Sequence, residues 1–103
     1  MTLFELLRST GLPCSYGVFD KRNKKLPYLI YLGNGQEHFI ADNGIYAKQD
    51  QYQVEYYFID KDSKSESALE DALTNDGWLY DKSEDIYIEG EKVFVIYYDV
   101  WRP

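Results

Sequence analysis

The chain has 103 residues, enough for one domain that buries roughly two-thirds of the surface its unfolded form exposes. Eleven Lys and Arg against 18 Asp and Glu give a formal charge of −7, the wrong sign for displacing counterions from DNA or RNA, so specific nucleic-acid binding is not expected. One cysteine excludes an internal disulfide and no apolar run approaches the ~20 residues of a bilayer span, so the sequence predicts an intracellular setting and no membrane partner.

The opening "MTLFELLRSTG" lacks the basic start and long apolar middle of a signal peptide. It reads as a short helix. Thr2 and Glu5 have the spacing of a capping box, and Leu3, Phe4, Leu6 and Leu7 form an apolar stripe that stops before Gly11 and Pro13. A helix this short is marginal alone, so it is expected to dock on a sheet. Cys14 has no base or cation beside it in sequence and reads as a small packed residue. Ser15 to Phe19 predicts a short strand, and "DKRNKK", Asp20 to Lys25, a solvated turn.

"LPYLIYLG", Leu26 to Gly33, predicts a second strand, with Pro27 at its start, where a missing N–H does least harm. Tyr28, Ile30 and Leu32 alternate with Leu29 and Tyr31, so both faces are apolar. The glycine-bracketed stretch Gly33 to Gly44 reads as a loop or hairpin excursion, with the whole of Gly33 to Lys48 expected to be mobile in a free subunit and to order on assembly. Gly33-Asn34-Gly35 is not a phosphate cradle, because no helical pattern follows it and no Lys-Ser or Lys-Thr pair closes it. "QYQVEYYFID", Gln51 to Asp60, predicts a third two-faced strand: Tyr52, Val54, Tyr56 and Phe58 on one side, Tyr57 and Ile59 on the other beside Gln53 and Glu55.

The period then changes. Ser63 and Glu66 have capping-box spacing, Ala68, Leu69, Ala72 and Leu73 share a face, and Gly77 suits a left-handed stop. Glu66, Glu70 and Asp71 are expected near the helix start or on its outer, wet face. Trp78 to Tyr80 begins another short extended run, "DKSED" from Asp81 to Asp85 turns the chain, and "IYIEGEKVFVIYYDVW" predicts a hairpin centred on Glu89, Gly90 and Glu91. Its last arm, two-faced again, has the composition of a strand central to a sheet. The fold expected is α+β: one mostly antiparallel sheet with two helices packed on it, in the order αβββαββ, as a single domain over residues 1–103.

Little here points to catalysis. His38 is the only histidine, which leaves no His-paired metal site and one candidate general base. No nucleophile-elbow motif supports a Cys14–His38 or Ser–His38–Asp arrangement, and "DKSED" lacks the ligand spacing and glycine of a calcium loop. No enzyme activity, cofactor or metal is expected. Eleven Tyr, five Phe and two Trp make the chain 17% aromatic, which favours a binding surface, since Tyr joins large contact area to a polar tip.

"LPYLIYLGNG", "FIADNGIYAKQDQYQVEYYFIDKD" and "ALEDALTNDGWLYDKSEDIYIEGEKVFVIYYDV" together resemble the tail-completion or tail-terminator (head-tail joining) proteins of long-tailed phages and prophages of Gram-positive bacteria. The likeness runs from about Gly11 to Trp101 as an overall pattern, without a catalytic signature. It implies a structural protein that caps the tail tube and joins it to the head connector as a subunit of a hexameric ring. Its partners would be copies of itself, the tail-tube protein and the head-tail connector protein. It would reside in the virion, and in the host cytoplasm during assembly. The negative charge would suit a channel through which DNA passes without sticking. In this reading Tyr31, His38, Phe39, Tyr46, Tyr57 and Tyr98 are the candidate interface residues. Two alternatives stand beside it: another connector or completion protein of the same gene cluster, and an acidic DNA mimic that inhibits a nuclease or repressor, against which the scatter of Asp and Glu among turns and strand edges, and not along one exposed face, argues.

Overall fold

The computed structural model describes residues 1–18, 26–40 and 46–102, giving for 35–40 and 46–50 the backbone alone. Two helices and six strands form in the order α1 (Leu3–Ser9), β1 (Cys14–Tyr16), β2 (Tyr28–Ile40), β3 (Tyr46–Phe58), α2 (Ser63–Asn75), β4 (Leu79–Lys82), β5 (Ile86–Ile88) and β6 (Val93–Arg102). The class is the expected α+β, with one more short strand than the sequence reading separated.

The strands form a single sheet in the order β1-β2-β3-β6-β4, and β5 also pairs with β6. Pairing is antiparallel except between β1 and β2, which run parallel with Cys14 opposite Leu29 and Tyr16 opposite Tyr31. β6 is central, as its two-faced pattern predicts. One flank takes β3, from Phe58 opposite Phe94 to Asp50 opposite Arg102. The other is shared: β5 covers Val93 to Val95 and β4 covers Tyr98 to Trp101. Ser83 fills the gap between them, its backbone N–H donating to the Tyr97 carbonyl and its hydroxyl oxygen accepting from the Tyr97 N–H, each at 2.8 Å. "DKSED" is therefore half strand: Asp81 and Lys82 finish β4 before the chain turns.

Of the two readings of the stretch from Gly33, a loop or a hairpin excursion, the described residues form the hairpin. β2 runs on from Gly33 to Ile40 and β3 begins at Tyr46, with Gln36 opposite Asp50 and Ile40 opposite Tyr46; the register shifts between Gly33 and Gln36. This hairpin extends past the end of β6, whose last pair is Asp50 with Arg102.

Both helices cover the same face. Leu3, Leu6 and Leu7 of α1 and Leu69 and Leu73 of α2 join Leu29, Val54, Tyr56, Phe58, Ile96, Tyr98, Val100 and Trp78 in one core cluster. Leu7, Leu69 and Leu73 expose nothing, and burying a leucine side chain contributes ~1.5–3 kcal/mol. The first capping box is present, with Thr2 Oγ1 accepting from the Glu5 N–H and Glu5 Oε1 accepting from the Thr2 N–H, both at 3.1 Å. The second is not. Asp62 caps α2 instead, its carboxylate accepting from the Lys64 and Ser65 N–H groups, and Ser63 becomes the first helical residue. Gly77 stops α2 at φ 84°, the left-handed conformation its sequence position predicts.

Candidate functional site

Period-two alternation divides the sheet side chains into a helix-covered face and a second face, and the second is where an unassigned surface lies. In register across it, Tyr28 is opposite Tyr57, Tyr57 opposite Val95, and Val95 opposite Ile86. The next row places Ile30 opposite Glu55 and Glu55 opposite Tyr97. Val95 is fully buried, and Tyr28, Ile30 and Val93 are nearly so. Tyr57, Tyr97, Ile86 and Ile88 are half-buried. Further along, Leu79 is 53% exposed opposite Trp101. Among the described residues no helix packs on this face, since the buried leucines of both helices belong to the cluster on the other side.

The geometry of this face is fixed by rings. Tyr28 and Tyr57 stack with centroids 4.8 Å apart at an interplanar angle of 19°. The Tyr57 hydroxyl donates to Glu55 Oε1 at 2.6 Å, so a carboxylate is held in place within an apolar surround. Burial, and then the adjoining Glu55 carboxylate, push the Tyr57 phenol pKa well up, which keeps it a donor at any ordinary pH.

On the helix-covered face a line of rings crosses the strands beside α1. Tyr16 meets Tyr31 edge-on at 4.9 Å, Tyr31 lies 6.3 Å from Tyr52, and Tyr52 meets Trp78 at 5.9 Å. Phe4 of α1 lies 5.9 Å from Tyr31 and carries the Arg8 guanidinium 5.5 Å above its ring. Tyr16, 59% exposed, accepts a hydrogen bond from the Gly33 N–H at 3.3 Å. Arg102 covers Trp78 at 4.5 Å and pairs with Asp76 at 2.9 Å.

A charged cluster fastens α2 to the β4–β5 segment. Glu66 is only 4% exposed, with the Lys61 ammonium astride its carboxylate at 2.9 Å from each oxygen; Oε1 alone receives a well-directed hydrogen bond from it. Lys82 reaches Glu66 Oε1 at 3.2 Å and Glu70 Oε2 at 2.9 Å, while Lys61 also reaches Asp85 at 2.9 Å. The Tyr98 and Tyr80 hydroxyls donate to Glu70 at 2.8 and 3.2 Å. Burial alone would raise the Glu70 carboxyl pKa, but Lys82 and the Tyr98 hydrogen bond outweigh it, and the net shift is downward. Glu66 lies in the first turn of α2, as expected, but is buried there, and Glu70 is turned toward Lys82 of β4 instead of onto a wet outer face.

The six predicted interface residues separate. Tyr57 lies on the open second face. Tyr31 is half-buried in the ring line on the other. Tyr98 is a correction: it exposes nothing, sits in the core cluster and spends its hydroxyl on Glu70, so it has no surface to offer a partner. His38, Phe39 and Tyr46 lie on the hairpin extension, with His38 opposite Lys48, and their side chains fall outside the described residues. Cys14 packs half-buried against the core, and burial pushes its thiol pKa up to about 11. Residues the sequence reading passed over are Glu55, Tyr97 and Ile86. The signal for Glu55 was present: a lone carboxylate between apolar neighbours in a two-faced strand. Among the described residues no three His, Cys, Asp or Glu side chains converge as a metal site, and no described helix is long and apolar enough to cross a membrane. No family model matches the chain, and no curated protein matches it significantly.

Proposed function

We propose that this protein is a non-enzymatic assembly subunit of the tail-terminator kind, which caps a phage tail tube and joins it to the head connector as one member of a ring. The observation that carries this reading is the second sheet face. It leaves Tyr57, Tyr97, Ile86 and Ile88 half-buried and Leu79 exposed over a floor of buried Tyr28, Val93 and Val95, with no helix on it among the described residues, and apolar side chains left partly exposed together mark protein contact. A sheet with helices on one side, leaving the other to neighbouring copies, fits a subunit whose cover is supplied on assembly. The extended β2–β3 hairpin gives a second element able to reach a tube or connector.

Electron microscopy of the protein mixed with purified tail tubes tests the reading. Rings at one end of the tubes support it; tubes with bare ends at saturating protein refute it. A second reading, an acidic DNA mimic, is favoured by the placement of charge: eleven of the 18 acidic residues fall between Asp60 and Glu91, where only three lysines accompany them. Yet Glu66, Glu70 and Asp85 are matched by Lys61 and Lys82, and Asp62 is used as a helix cap, so the segment is not an open row of charges. Inhibition of a DNA-binding enzyme by the protein would favour the mimic.

A further inference from the structure

We draw no further inference here: the strongest candidate, the patch of half-buried Tyr57, Tyr97, Ile86 and Ile88 on the second sheet face, belongs to the surface already described, and nothing in the structure shows what part of a partner covers it.

Discussion

Glu66 carries a quantitative prediction because its surroundings are unequal. The carboxylate side chain is 5% exposed, whereas its partners Lys61 and Lys82 are 50% and 34% exposed. Removing the carboxylate leaves two ammonium groups that keep Asp85 and Glu70 as partners and are reached by water. Removing both lysines leaves a buried carboxylate with no counter-charge. Glu66→Leu fills similar volume and should cost less than about 1 kcal/mol, since replacing a buried ion by an apolar group of like size is often neutral. Lys61→Met with Lys82→Met should cost about 3 kcal/mol, the low end for a stranded buried charge, because the pair is reached by solvent from the lysine side. With a urea slope of about 1–1.5 kcal/mol/M for a chain this size, the double variant should unfold roughly 2–3 M earlier, and Glu66→Leu within about 1 M of wild type. Equilibrium urea unfolding at pH 7, followed by tryptophan fluorescence with the slope checked for constancy, measures both. Equal losses, or a larger loss for Glu66→Leu, would refute the reasoning that desolvation of this carboxylate dominates the cluster.

Three further outcomes follow from the same coordinates. The Glu70 carboxyl titrates below its ordinary value of 4.5, so its contribution is complete above that pH and disappears as the pH falls through the lower folded value; Glu70→Gln should lose stability near neutrality, where that contribution is complete, and converge on the wild type in acid, which flattens the acid limb of a stability profile. Gly77→Ala, at φ 84°, and Asp62→Ala, at the N-cap of α2, should each cost about 1 kcal/mol in the same unfolding assay, and their sum should hold within about 0.5 kcal/mol because they act at opposite helix ends. Cys14, with its thiol pKa near 11, should react with a thiol reagent at pH 8 on the order of a hundredfold more slowly in the folded protein than in denaturant, and comparable rates would show that its burial is wrongly placed.

Much of the architecture is legible in the chain because local rules and tertiary demands agree. Thr2 and Glu5 cap α1 as their spacing requires, Gly77 ends α2, and the alternation from Val93 to Val100 identifies an interior strand. The failures occur where a distant group outbids a neighbour. Ser63 and Glu66 have capping-box spacing, but Asp62 supplies a better acceptor one residue earlier, and Glu66 is drawn inward by Lys61 and by Lys82 from β4. Alternation likewise sorts the residues within β3 and within β6, but the register that sets Tyr57 and Tyr98 on opposite faces, and where Leu3, Leu7, Leu69 and Leu73 land, are tertiary outcomes. The parallel β1–β2 pair was hidden for a related reason, since only the return of the chain after Tyr16, not any residue pattern, decides its direction.

The central claim is that the face bearing Tyr57, Val95 and Ile86 is covered by another copy of the chain. Sedimentation velocity of the wild-type protein and of Ile86→Lys, across a concentration series at physiological salt, addresses it most directly. Concentration-driven growth from the 12.2 kDa monomer to a defined multiple, abolished by the lysine, is the predicted result. Assembly that Ile86→Lys leaves untouched would contradict the claim.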